Sequence, residues 1–244
     1  MSSTPSTSRP ALALVLACLS LWAATGKPFP CPEGSRLYKT PTFEELTQVV
    51  NEVGPELRRN HIQFKVIGGY NLFRLRARST EDIDIAIKMP DAPVNLVELI
   101  VTLNTTGICQ LSTAAFAYVL GQDKLIKVDF IDSRFFMSLR NIPDAVWSSE
   151  GFTMPLAWQL YLKLRTWRSR SQRIAPVPFG KFGKNKEKFK FDEADVRTLL
   201  AHQLRTNQTV DQDIITLSMD AARDFVLRFP EEMPQFFTLG WYFQ

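Results

Sequence analysis

The chain has 244 residues, 45% of them apolar and 22% charged, with a formal charge of +4. That balance supplies core for one globular domain of mixed type or for two small lobes, and no internal repeat is visible. The mild net charge by itself implies no partner.

Residues 1–10 are polar with Arg9 as their one charge, and Ala11 to Thr25 form an apolar run of 15. Ala24-Thr25-Gly26 then offers small residues where a signal peptidase reads. This is the layout of a secretory signal peptide over 1–26, too short for a comfortable membrane span. An N-terminal anchor and a misassigned start are the alternatives. Removing the leader takes Cys18 and leaves Cys31 and Cys109, enough for one disulfide and not for a disulfide framework. Sequons at Asn104 and Asn207 fit secretion without deciding it, and no other segment has the length and apolarity of a membrane span.

Residues 27–41 read as a linker, with four prolines before Thr42. Thr42 and Glu45 form a capping box, and Phe43, Leu46, Val49, Val50 and Val53 recur at helical spacing, which predicts a helix to about Arg59. Phe64 to Ile67 is a short buried strand ending in Gly68-Gly69, and Tyr70 to Arg76 reads as a helix. Ile83 to Ile87 is a strand, with Asp82, Asp84 and Ala86 on one face and the isoleucines on the other. Val94 to Leu103 looks helical. Ala114 to Leu120 and Leu125 to Ile131 are strands joined by Gly121-Gln122-Asp123 as a hairpin. From Pro155 the pattern is helical, with Leu156, Leu160, Leu164 and Trp167 on one face, then Asp192 to Leu204 and Asp211 to Phe229. The organisation is an α/β lobe over 42–145 followed by a smaller helical lobe over 146–244.

Arg168 to Lys190 carries eight positive residues against Glu187, a local +7. It reads as a basic loop, 168–190, either simply solvated or attracting the phosphates of a nucleotide or an RNA. His61 and His202 are isolated in sequence, which disfavours a histidine zinc site. Serine and cysteine nucleophile motifs are absent, and the aromatic C-terminus reads as lobe packing.

The chemistry concentrates in Val66-Ile67-Gly68-Gly69 followed, twelve residues on, by Asp82-Ile83-Asp84. The strand period sends both carboxylates from one face, about 7 Å apart. A divalent cation is the simplest compensation for like charges gathered among apolar neighbours. Mg²⁺ takes oxygen ligands and is commonly held by one or two carboxylates plus substrate phosphates. Asp129 interrupts the apolar run Ile126 to Ile131; paired beside 82–88 it would complete a three-carboxylate site, with Asp132 as its rival. Gly68 and Gly69 would let phosphates approach the backbone amides of the next helix.

Strand, glycine pair, helix and Asp-x-Asp in this order resemble the nucleotidyltransferase-fold superfamily. Arg78-Ser79-Thr80-Glu81-Asp82-Ile83-Asp84 is similar to the branch of the AbiEii-type toxins, in which an Arg-x-Thr precedes the Asp-x-Asp. The likeness continues at Lys163 within Leu160 to Arg168 and at Asp192-Glu193-Ala194-Asp195, covering roughly 43–205. It implies a nucleotidyltransferase-like mixed β-sheet lobe with flanking helices. It also implies one or two Mg²⁺ on Asp82, Asp84 and Asp129, an NTP lined by Gly68, Gly69, Arg78, Thr80 and Lys163, and Asp195 orienting Lys163. The long insertion before Asp192 departs from the family and puts the match at Asp195 in doubt. The implied activity is transfer of a nucleoside monophosphate to a hydroxyl on RNA or protein. The alternatives are a catalytically inactive relative that binds nucleotide or a partner, and a secreted effector or interaction protein using the fold as a scaffold. The leader points to the secretory pathway and NTP chemistry to the cell interior.

Overall fold

Thr42 and Glu45 form the expected capping box: the Glu45 amide donates to Thr42 Oγ1 at 3.2 Å, and the Thr42 amide donates to the Glu45 carboxylate at 2.9 Å. Helix α1, Phe43–Arg59, starts there and buries Leu46, Val49, Val50, Val53 and Leu57 along one stripe. The computed structural model describes residues 30–90, 95–101, 107–112, 115–121, 123–174 and 182–243. The expected leader at 1–26 and the Asn104 sequon lie outside them. Among the described residues the chain is mixed α/β with a mixed six-stranded sheet. Among the described residues no helix is long and apolar enough to cross a membrane.

Two compact units divide the chain, one of residues 1–64 and 81–132, the other of 65–80 and 133–244. These do not coincide with a boundary at 145/146: residues 133–145 and the segment 65–80 that carries the glycine pair both group with the helical part.

In the first unit, strands β1 (Arg36–Leu37), β3 (Asp82–Ile87), β4 (Ile108–Ser112), β5 (Ala115–Leu120) and β6 (Lys124–Asp132) follow the order β3-β6-β5-β4, with β1 also on β6. The expected hairpin is present: β5 and β6 are antiparallel, and Gly121 takes a φ of 72° in their turn. β3 runs parallel to β6 with Asp84 opposite Asp129. One face of this pair is apolar and buried, through Ile83, Ile85, Ile126 and Val128. Phe116 and Phe130 pack edge to face on the same side, and Tyr118 hydrogen-bonds Glu52 of α1 there. Burial, then the neighbouring Glu52 carboxylate, pushes the Tyr118 hydroxyl pKa well up.

The opposite face holds the carboxylates at one end and the cluster Cys109, Ala117 and Leu125 at the other. Cys31 closes that cluster through a disulfide to Cys109, with Cα atoms 4.8 Å apart across 78 residues of sequence. The linker expected at 27–41 is therefore partly ordered against the sheet: β1 pairs β6, and Pro30 bridges Gln110. A strand at Ile108–Ser112 was not expected either. Short helix α3, Leu96–Val101, lies within the helical stretch expected at 94–103, whose ends are outside the described residues.

The second unit begins within β2 (Phe64–Ile67), after Phe64. Lys65 has no exposed surface, and its ammonium donates to Ser149 O at 2.8 Å, Ser149 Oγ at 2.7 Å and Gly151 O at 2.5 Å. The backbone of Val66 pairs with Phe152 and Met154. After α2 (Gly69–Arg74) come short helices α4 (Met137–Arg140) and α5 (Asp144–Ser148). The longer helices are α6 (Leu156–Ile174), α7 (Phe182–Arg205) and α8 (Gln212–Arg228), before short α9 (Met233–Thr238). Trp167, Phe225, Phe236 and Trp241 form their aromatic core, and Trp241 Nε1 donates to Ser218 Oγ at 3.0 Å. The C-terminal aromatics at 236 and 241 are thus packing residues.

The basic loop expected at 168–190 is corrected. Residues 168–174 finish α6 and 182–190 begin α7, leaving only 175–181 outside the described residues. Lysine and arginine are good helix formers, and a run of like charge continues a helix where its other face packs; Phe189, 7% exposed, stacks on Trp167. Arg168 pairs with Asp220 and Asp224, and Arg170 with Asp192, so neither charge is offered freely to a polyanion. Lys188 and Lys190 are exposed.

Candidate functional site

Asp82, Asp84 and Asp129 each present a carboxylate oxygen such that all three atoms lie within 4.8 Å of one another. Two local rules and one tertiary fact produce this. The strand period places Asp82 and Asp84 on one face of β3, and the same period places Lys127 and Asp129 on one face of β6. Parallel pairing then sets Asp82 opposite Lys127 and Asp84 opposite Asp129. Asp132 is three residues from Asp129, so it leaves the other face; it is the last residue of β6 and only 4% exposed. The rivalry is settled by strand parity.

The carboxylates are partly exposed, with Asp82 at 33% and Asp129 at 34%. The Lys127 ammonium donates to Asp129 and stands 3.7 Å from Asp82. Burial lowers the Lys127 pKa, but the hydrogen bond to Asp129 and the fields of Asp129, Asp82 and Asp84 outweigh it, and the net direction is up. Sequence reasoning missed Lys127. Its signal was legible: a residue two before Asp129 on a strand shares its face. An all-oxygen donor set of this spacing suits a hard cation such as Mg²⁺.

The residues expected to meet the nucleotide lie in the second unit. Gly68 holds φ 72° and ψ −143° at the start of α2, a conformation that disfavours any side chain. Asn71 donates to Val66 O at 3.1 Å, and Gln159 donates to Gly68 O at 3.2 Å, which pins the turn. Asn71 Oδ1 is buried with no hydrogen-bond partner among the described residues. At Gly69 the structure gives a further reason for glycine. A Cβ there would meet Thr80 Oγ1 at 2.4 Å and Thr80 Cβ at 2.7 Å, so the room is taken by Thr80, which is itself 8% exposed. Packing against Thr80 is therefore one physical reason for glycine at this position.

Arg78 and Lys163 converge on one buried carboxylate. Arg78 donates Nε to Asp195 Oδ1 at 2.8 Å and Nη2 to Asp195 Oδ2 at 3.0 Å, a bidentate fork. Lys163 Nζ lies 2.7 Å from Asp195 Oδ2 and 3.5 Å from Asp192. Asp195 does contact Lys163 as expected, and its bond to Arg78 was not anticipated. Burial raises the Asp192 pKa most, partly countered by Lys163 and Arg170. His61 and His202 join no carboxylate or cysteine cluster of metal-binding spacing among the described residues. Arg205 lies 3.0 Å from the His202 ring; burial, then that charge, lowers the His202 pKa.

Comparison with protein-family models, with curated proteins and with solved structures finds no match for this chain.

Proposed function

We propose that this chain is a Mg²⁺-dependent nucleotidyltransferase, which moves a nucleoside monophosphate from an NTP to an acceptor hydroxyl on RNA or protein. The observation that carries the reading is the meeting of Asp82, Asp84 and Asp129 within 4.8 Å on one sheet face. When bound, one or two Mg²⁺ supply Lewis-acid stabilisation of the charge that builds on the α-phosphate and on the leaving pyrophosphate. The residues of the chain supply position: Asp82 and Asp84 hold from one strand and Asp129 from its neighbour, fixing the donor set before substrate arrives. In the transfer, the hydroxyl oxygen forms a bond to the α-phosphorus and releases its proton to solvent, while the bond to the bridging oxygen breaks and pyrophosphate leaves. The nucleotide roles of Gly68, Gly69, Arg78, Thr80 and Lys163, and the nucleotidyltransferase fold itself, rest on the resemblance of the motifs. An RNA acceptor has weaker support than the basic run suggested, since Arg168 and Arg170 are engaged by Asp220, Asp224 and Asp192.

Labelled NTPs with Mg²⁺ and total RNA or lysate test the reading. Wild type is expected to transfer label to an acceptor, and Asp82→Ala and Asp84→Asn to abolish transfer. A second reading, a non-catalytic nucleotide-binding relative, is favoured by one observation: Lys127 already sits on Asp129. Nucleotide binding by wild type without transfer of label from any NTP would establish that second reading.

A further inference from the structure

Lys127 rises from the same face of β6 as Asp129 and stands opposite Asp82 in the strand register. Its ammonium touches Asp129 and lies 3.7 Å from Asp82, within the set of oxygens that would hold a metal. At these oxygens the ammonium brings one positive charge where a divalent cation would bring two. Both cannot use the same Asp129 oxygen. The lysine side chain is 39% exposed, so solvent lies open on one side of a flexible four-carbon stem that ends in a point charge.

Resting on the reading of the triad as a Mg²⁺ site, we propose that Lys127 is its resident counter-ion: it holds off a divalent cation in the nucleotide-free protein and moves onto phosphate when a polyphosphate arrives. The exchange conserves pairing. Ammonium–carboxylate contacts are replaced by ammonium–phosphate and metal–carboxylate contacts, and no buried charge is stranded. Metal and nucleotide are then coupled, each raising the affinity of the other by the same factor. Lys127 is a positioning residue, and its role is visible in binding without turnover.

Mn²⁺ titration of the full chain, followed by the paramagnetic resonance of free Mn²⁺, tests this with and without a non-hydrolysable nucleoside triphosphate analogue. Wild type is expected to bind Mn²⁺ roughly tenfold more tightly with the analogue than without. Lys127→Met is expected to bind Mn²⁺ alone about tenfold more tightly than wild type and to lose most of the coupling. Lys127→Arg keeps the charge and is expected to behave as wild type. Thermal melting checks that each variant folds; should Lys127→Met not fold, Lys127→Gln carries the same expectation. Equal Mn²⁺ affinity of wild type and the neutral variant without nucleotide overturns the role of Lys127 and leaves the triad standing as a metal site. No Mn²⁺ binding by either protein, with or without the analogue, overturns the triad reading and the role of Lys127 together.

Discussion

Asp192 and Asp195 are 3% and 2% exposed and each meets two cations, whereas Asp82 and Asp129 are a third exposed and share Lys127. In the first pair burial is matched by compensation: Arg78, Lys163 and Arg170 supply three positive charges against two negative ones. In the second, with Asp84, three carboxylates gather beside the Lys127 ammonium and stay within reach of water. A compensated buried cluster braces a fold, since a buried charge is tolerated only with its partners in place. A like-charged cluster open to solvent costs a little stability and keeps its affinity for a cation. The contrast separates residues that hold the molecule together from residues able to hold a ligand.

The sharpest way to break this comparison is Asp195→Ala. It removes the bidentate partner of Arg78 and reduces Lys163 to its longer contact with Asp192, and a loss of about 3–5 kcal/mol is expected in urea unfolding. A loss under about 1 kcal/mol, typical of surface pairs, would place the second cluster in the same class as the first. Reduction of the Cys31–Cys109 bond, or Cys109→Ser, is expected to cost about 2–4 kcal/mol by releasing a long closed loop in the unfolded chain. Unfolding with and without reductant measures it, and tells how firmly the sheet bearing the triad is held.

Gly69→Ala forces a Cβ against Thr80 and is expected to cost about 1–3 kcal/mol. Pairing it with Thr80→Gly should recover part of the loss in a double-mutant cycle; additive losses would show that the contact with Thr80 is not what requires glycine there. The smallest effect belongs to the triad itself. Asp84→Asn removes a like charge and is expected to raise metal-free stability by up to about 1 kcal/mol at low salt, with the gain shrinking as salt rises. A destabilised Asp84→Asn would mean that the carboxylates are a brace as well.

A good part of this architecture was legible in the residues. The capping box at Thr42 and Glu45 fixed the start of α1, and the apolar stripe from Leu46 to Val53 fixed its buried face. The alternation of Asp82, Ile83, Asp84 and Ile85 assigned the carboxylates to one face of a strand, as burial of the isoleucines bears out. The basic run misled because charge was read as solvation: Lys and Arg continue a helix readily, and the partners of Arg168 lie more than fifty residues away. The parity of Lys127 with Asp129 is written in the sequence, whereas its contact with the carboxylates depends on the pairing of β3 with β6.

Periodicity within each segment therefore determined which side chains leave a strand or helix together, because that follows from backbone geometry over a few residues. Which strands lie side by side, and in what register, was decided only in three dimensions. β3 and β6 are separated by some forty residues in the chain, and their pairing depends on how the whole sheet buries its apolar face. That pairing sets Asp84 opposite Asp129 and brings Lys127 onto the carboxylates. It also took tertiary packing to join Cys31 to Cys109 and to fill the room beside Gly69 with Thr80, since contacts between distant segments leave no periodic trace in either one.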